Sequence, residues 1–462
     1  MPELSAEALG DLRRRIDGSV TTPADPAYEA ERLTWNRAVD QRPAVIVTVT
    51  SANDVVEAVR FAREQGLGVA VQATGHGTAR PANGALLILT RAMSEVIIDP
   101  EAQTARIEAG VQWGQVLEMA QVYGLAPLLG SSPGVGAIGY TLGGGVGWLA
   151  RKYGLGVDSV LNFEVVTAEG DFVVASALER PDLFWALRGG GGANFAIVTA
   201  MEVRLYPVST VYAGSLLYPA DQAREVFQRY REWIADLPDE MTSSVLIMNY
   251  PPFEMVPEPV RGKSFALVRG CYAGDVEVGK ALVDSWRAWK TPALDAFGPM
   301  PFAAAGSISQ DPRDPIPGYN SGAFVSDLCD DAIDAILAHS LPQNGPPPVI
   351  KIEVHHGGGA IARVHRQDAA VSHREATLLL HLVAMTPGPE AFQAAERHAA
   401  SLLGALAPVL LDASYPNFLD GGDQVQRIRQ LYEADKVPVL RAVKEAYDPD
   451  NLLRYGFGVP GE

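Results

Sequence analysis

Cysteine is scarce in this chain: Cys271 and Cys329 are far apart and form no C-x-x-C pair. A disulfide framework and a thiolate metal centre are therefore excluded. No second histidine, cysteine or carboxylate stands at ligand spacing from His76, so no metal is expected. No run of 18 apolar residues occurs, which rules out a membrane-spanning helix. The opening MPELSAEALGDLRRR carries acidic residues and no apolar stretch, so no secretory signal is read there and a cytoplasmic location is expected. Positive charge is in deficit as well. Lys+Arg 37 against Asp+Glu 55 gives a formal net charge of -18, which argues against a nucleic-acid partner.

What remains is an ordinary globular composition, 47% hydrophobic and 20% charged, over 462 residues. That length accommodates more than one domain and a large core. Residues 45 to 73 read as strand, helix and strand. VIVTV is β-branched, Ser51 caps a helix with Val55, Val59 and Ala62 at helical spacing, and Gly66 stops it before VAVQA. A strand at 86–90, a hairpin EVIID/TARIE and a helix at 112–124 closed by Gly124 follow. Two strands then flank a Glu-Gly turn within 159–176, and 181–208 gives a short helix, a four-glycine loop and a long strand. Near Pro207 the character changes to helices alternating with many strands, as in AREVFQRYREWIADL and SFALVRGCYA. This predicts a separate α+β unit on an antiparallel sheet, up to about residue 410. The Pro-rich 341–354 feeds a further strand, and the tail is helical, then extended.

The most conspicuous motif is LLGSSPGVGAIGYTLGGGVG at 128–147, which contains a literal G-x-G-x-x-G at Gly134, Gly136 and Gly139. A dinucleotide fingerprint needs a strand before the first glycine and a helix after the third. Here the lead-in is turn chemistry, and Gly143, Gly144 and Gly145 would each cost a helix about 1 kcal/mol relative to alanine. The nicotinamide reading therefore fails, and the glycines mark close backbone approach to some other ligand. A second stretch, VQATGHGTARPANG, places His76 between glycines at the end of a strand, in a loop suited to an anion nest.

Taken in order, the G-H-G loop, P-G-V-G followed by T-L-G-G-G-V-G, R-G-G-G-G-A-N-F-A-I-V-T and D-P-D-N-L-L resemble the FAD-linked oxidases of the berberine-bridge-enzyme-like family, within the vanillyl-alcohol-oxidase superfamily. The resemblance runs from about Trp35 to Gly458. It implies an α+β, two-domain fold: an FAD domain at 1–207, a substrate domain at 208–410, and a segment 411–462 returning to the FAD domain. It also implies that His76 carries a covalent bond to the flavin ring and that Thr74, Gly75, Gly77 and Thr78 wrap the pyrophosphate. Ser132, Pro133, Gly134, Val135, Gly136, Gly139, Tyr140, Gly143, Gly144 and Gly145 would lie along the cofactor, with Ile197 and Val198 at its adenine half. Many relatives bind flavin a second time through a cysteine in C-P-T-V-G. Ser132 stands there in this chain, and an unactivated hydroxyl lacks the thiolate's nucleophilicity, so a single link is expected. Val135 occupies the position that in relatives governs oxygen access, and its small size favours an oxidase.

On the substrate side, Tyr415 and Asn417 match a Y-x-N motif that sets a tyrosine over the flavin. That tyrosine would serve as proton acceptor if a neighbouring positive charge lowers its pKa. Glu353, His355, Asp368 and His373 come from EVHHGGGAIARVHRQDAAVSHRE, expected as a strand pair with a glycine turn forming the opposite wall. His355 and His356 should point to opposite faces. Asn451 is placed near the flavin by D-P-D-N-L-L, while Trp113, Trp148 and Trp185 are read as packing. The activity implied is oxidation of an alcohol or amine small molecule with O2 as acceptor, by a monomer or homodimer. A same-fold dehydrogenase and a catalytically silent flavin binder are the alternatives.

Overall fold

The computed structural model describes residues 4–342, 345, 347–420 and 426–461. Residues 343, 344 and 346 of the Pro-rich segment lie outside the described residues. Three sheets carry the chain. In the first, β1 (Ser19–Thr21), β2 (Val45–Thr48), β3 (Val69–Gln72) and β4 (Leu86–Leu89) run in the order β1-β2-β4-β3, with β2 and β3 parallel to β4. Parallel pairing needs a crossover, and the helix Ala52–Glu64 between β2 and β3 provides it. Its N-cap is Ser51, whose Oγ accepts from the Asp54 amide, and Gly66 ends it at φ +65°. The second sheet is antiparallel, in the order β5-β6-β9-β7-β8. Its strands are β5 (Val96–Asp99), β6 (Thr104–Glu108), β7 (Val160–Val166), β8 (Phe172–Ser176) and β9 (Ile197–Arg204).

The third sheet, eight-stranded and antiparallel, forms the wall of the second lobe. It comprises β10 (Thr210–Pro219), β11 (Met241–Asn249), β12 (Ser264–Tyr272), β13 (Leu294–Asp295), β14 (Gly298–Pro301), β15 (Gly318–Val325), β16 (Lys351–His356) and β17 (Leu378–Met385). Alternation divides its two faces. Val245, Val268, Ile352 and Val354 pack against residues of four helices: Ala223–Ile234, Val276–Trp289, Asp330–Ser340 and Pro389–Ala405. Large side chains such as Trp286 and Phe227, fully buried there, each contribute about 1.5–3 kcal/mol. The opposite face carries Ser244, Arg269, Lys351, Glu353, His355 and His381, and it looks toward the first two sheets.

Buried ion pairs and hydrogen bonds tie the lobes together. Arg374 reaches Asp158 at 2.6 and 2.9 Å, with side chains only 4% and 8% exposed. Arg151 donates to the Met241 and Leu237 carbonyls at 2.9 and 3.1 Å. The helix Val437–Tyr447 and the residues after it return to the first core, where Leu440, Val443, Leu453 and Phe457 are buried.

Candidate active site and cofactor cavity

Residues of all three sheets border a cavity of about 860 Å³. One wall is the loop after β3, Thr74 to Arg80. Gly75 sits at φ +79°, and a Cβ there would stand 2.8 Å from Thr34 Cα, so both conformation and space demand glycine. The His76 imidazole stacks on Trp35 with ring centroids 4.2 Å and planes 16° apart, and its Nδ1 lies 2.9 Å from Thr74 Oγ1. Burial pushes its pKa down to about 4, against an upward pull from Asp311. The ring is therefore neutral at pH 7, with one nitrogen lone pair available as a nucleophile.

A second wall follows from Ser131 to Tyr140. Ser132, Val135, Gly136, Gly139 and Tyr140 border the cavity, as do Gly77 and Thr78 opposite and Ile197 and Val198 at the start of β9. Pro133 and Gly134 stand behind this wall, where the Pro133 carbonyl accepts from the Gly114 amide at 2.8 Å. No strand leads in, but a helix does leave: Ala137–Leu142 starts at Gly136 and ends at Gly143. The three glycines that follow serve the protein's own side chains and do not border the cavity. A Cβ on Gly143 would lie 1.9 Å from Asn417 Oδ1, one on Gly144 3.3 Å from the Tyr415 hydroxyl, and one on Gly145 2.5 Å from the Tyr140 ring.

The large sheet supplies the polar wall. Period-2 alternation brings Lys351, Glu353 and His355 to the cavity, and cross-strand register sets His381 beside Glu353. Glu353, 2% exposed, accepts from Ser244 Oγ at 2.6 Å and Lys351 Nζ at 2.7 Å, with Arg269 Nη1 at 3.6 Å. Burial raises its pKa, but the charges of Lys351, His355 and Arg269 outweigh this and hold the carboxyl well below its ordinary value. His355 Nε2 is buried without a hydrogen bond, 3.8 Å from Glu353 Oε2. Burial lowers the His355 pKa, opposed by Glu353 and reinforced by Lys351 and Arg269. His381 stacks on Phe418 at 3.8 Å, and Phe418 also touches the rings of His355 and Tyr415.

Tyr415 and Asn417 both border the cavity, and Asn417 donates to the Tyr140 carbonyl at 2.9 Å. The Tyr415 hydroxyl faces the amides of Gly145 and Val146 and the Asn417 side chain, yet makes no hydrogen bond of good geometry. Burial raises its pKa above the ordinary phenol value despite those amides. Among the described residues Arg374 pulls the phenol pKa down, but burial outweighs it, so the tyrosine is not the ready base expected from sequence.

Three further expectations meet a different geometry. Asp368 does not reach the cavity: its side chain is 61% exposed, and its backbone carbonyl accepts from Arg188. His373, at φ +60°, turns away to bond the Gln430 carbonyl at 2.9 Å. Both fall away because the expected strand pair is absent. The chain leaves β16 at His356, and a Cβ on Gly359 would lie 2.4 Å from the Arg151 carbonyl, so these glycines pack on Arg151 and lead into a short helix, Ala360–Arg363. Asn451 lies outside the cavity wall, at φ +50° in the turn whose amides bond Asp448. His355 and His356 take different partners, His356 going to Arg151 Nη1 at 3.1 Å, but both border the cavity, so the expected division between two faces is incomplete at the strand's end. Lys351 was legible two residues before Glu353, on the same strand face. Arg269, His381 and Phe418 come from distant segments and carry no local signal.

Burial lowers the His356 pKa to about 3 and that of His76 to about 4. The unfolded chain then binds more protons than the fold below pH 6.5, so stability falls as pH drops. His356 alone should lose about 2 kcal/mol between pH 6.5 and 5. Thermal melts across that range should show a falling midpoint, with a flatter profile in His356→Gln.

A family model described as an FAD binding domain matches residues 43–176. The chain is 28% identical to (R)-6-hydroxynicotine oxidase of Paenarthrobacter nicotinovorans over 464 residues, covering 97% of each. Its fold matches 6-hydroxy-D-nicotine oxidase of Arthrobacter nicotinovorans with TM-score 0.85 at 25% identity, over 100% of both chains. It matches xylooligosaccharide oxidase of Myceliophthora thermophila with TM-score 0.82 at 23% identity, over 98% of this chain and 100% of that one. The cavity fits FAD on its own terms. Neither 74–80 nor 131–140 contains a carboxylate to repel a pyrophosphate. A Cβ on Gly77 or Gly139 would meet nothing within 4 Å, so the cradle has open space along its backbone.

Proposed function

We propose that this chain is a berberine-bridge-enzyme-like FAD-linked oxidase, which oxidises an alcohol or amine small molecule with O2 as acceptor, producing hydrogen peroxide. In this reading residues 1–207 with 411–462 seat the cofactor, and 208–410 furnish the substrate wall. Bound FAD supplies the hydride acceptor. The observation that carries the reading is the unpartnered His355 Nε2 beside an ionised Glu353, both bordering the cavity that contains the cofactor cradle.

His355 takes the proton released from the substrate O–H or N–H. A neutral imidazole is a competent acceptor at pH 7, and the Glu353 carboxylate 3.8 Å away stabilises the imidazolium that results. Lys351 and Ser244 hold Glu353 in place by direct hydrogen bonds. Tyr415, neutral at this pH and with its hydroxyl unpartnered, would donate a hydrogen bond to bound substrate. His76 anchors the cofactor covalently, and Ser132 adds no second link. Val135 leaves oxygen a way in. The relative named for 6-hydroxynicotine oxidation supports an amine or hydroxyl substrate class. Among the described residues no helix is long and apolar enough to cross a membrane. A cytoplasmic monomer or homodimer without a nucleic-acid partner fits this reading.

Anaerobic mixing with a panel of secondary amines and alcohols tests the proposal. At least one class should bleach the flavin absorbance, and admitting air should restore it promptly with stoichiometric peroxide. Slow recovery would indicate a dehydrogenase using another acceptor. Bleaching by no class would leave a flavin binder without this chemistry.

A further inference from the structure

We infer that Trp35 is a positioning residue for the covalent attachment of FAD, holding the His76 ring in the one plane from which its nitrogen reaches the flavin. The inference rests on the reading of His76 as the attachment point. Attachment breaks one C–H bond of the flavin methyl group and the N–H bond of the imidazole, and it forms one C–N bond. The two electrons and two protons released pass to dioxygen, giving hydrogen peroxide.

The geometry of an imidazole makes this step demanding. The nucleophilic lone pair lies in the ring plane, so a rotation of the ring swings it off target, and misplacement by about 1 Å costs on the order of 10²-fold in rate. Two contacts remove that freedom. Trp35 covers one face of the ring at 4.2 Å with planes 16° apart, and Thr74 Oγ1 engages Nδ1 at 2.9 Å. The stack restrains the plane and leaves the ring edge free.

Trp35 can impose an orientation because its own backbone is fixed. Its amide donates to the Thr74 carbonyl and the Asn36 amide to the Gly75 carbonyl, both at 3.1 Å, so the segment is paired along the loop that carries His76. Gly75 permits this approach, since a Cβ there would lie 3.0 Å from the Trp35 nitrogen. Asn36, 3% exposed, pins the far side: its Oδ1 accepts from the Gly318 amide at 2.9 Å and its Nδ2 donates to the Gly318 carbonyl at 3.1 Å. The Arg37 amide adds a bond to the Ile316 carbonyl at 3.0 Å. The strap from Thr34 to Arg37 thus bridges the loop that carries His76 and the start of β15, and it fixes the backbone from which the indole projects onto the His76 ring.

The test compares Trp35→Leu, which removes the stacking face, with Trp35→Phe, which keeps one. The readout is the covalent fraction of bound flavin, from fluorescence on denaturing gels, intact mass and FAD released on denaturation. The covalent fraction should fall at least tenfold in W35L while released FAD rises, and W35F should stay close to the parent. A parent-like covalent fraction in W35L overturns the inference. Loss of the covalent fraction in W35F with FAD still bound does the same, and W35F also decides the matter if W35L binds no flavin. Parent protein that carries only releasable FAD removes the His76 reading itself, an outcome distinct from a failure of the stack.

Discussion

Replacing His76 with alanine should convert a protein that keeps its flavin through denaturation into one that releases all of it. The parent mass should exceed the polypeptide by one FAD, and the variant mass should equal the polypeptide. Three features of the site converge on this outcome. The imidazole is neutral because burial lowers its pKa to about 4, so a lone pair is free across the physiological range. It borders the backbone-lined cavity proposed to hold the cofactor. Among the described residues that border the cavity there is no cysteine to form a second link: Ser132 stands there with a hydroxyl, and Cys271 is buried in strand β12 with its thiol pushed far up by burial. Ser132→Ala should therefore leave the covalent mass unchanged. Full release of FAD from denatured parent protein would remove the link.

Much of this frame is visible in local pattern, because the patterns are those of elements whose burial is one-sided. The alternation in KIEVHH says that Lys351, Glu353 and His355 share a face, whichever face it is. The spacing of Val55, Val59 and Ala62 after Ser51 marks a capped helix before any contact is known. Glycine is harder to read. It is required wherever backbone must come close to something, and sequence does not say whether that is a ligand or a side chain. Gly143 makes room for Asn417, Gly144 for Tyr415 and Gly145 for Tyr140, although they sit in the same run as Gly139, which faces the cavity. Proximity in sequence misleads in the same way at Asp368 and His373, since the chain leaves the sheet at Gly357. Arg269 and His381 illustrate the converse. Each is unremarkable in its own strand and meets Glu353 only through register with β16 or through the neighbouring β11.

His355→Leu should slow flavin reduction by substrate about 10²- to 10⁴-fold while leaving FAD bound, the range expected when a proton acceptor is lost. Tyr415→Phe removes one neutral hydrogen bond and should cost about tenfold. That contrast is opposite to what a tyrosine base would give. A second readout separates the imidazole from a merely structural side chain. Burial lowers the His355 pKa, Glu353 pulls it up, and Lys351 and Arg269 push it down, with Asp311 adding an upward pull. The net shift is downward, so the neutral, proton-accepting form predominates at pH 7. The reduction rate of the parent should then fall only on the acid side of pH 6.5, as the ring protonates. In His355→Leu that acid limb should disappear along with most of the rate. Glu353→Gln sharpens the assignment: without the carboxylate the imidazolium loses its stabilising neighbour, so the acid limb should move further down in pH and the rate should drop. Stopped-flow reduction of the three variants between pH 5 and 8 gives all of these quantities. If Tyr415→Phe instead carried the larger loss and His355→Leu kept the acid limb, the proton would be going to the phenol, and the role of the polar wall would reduce to orienting substrate.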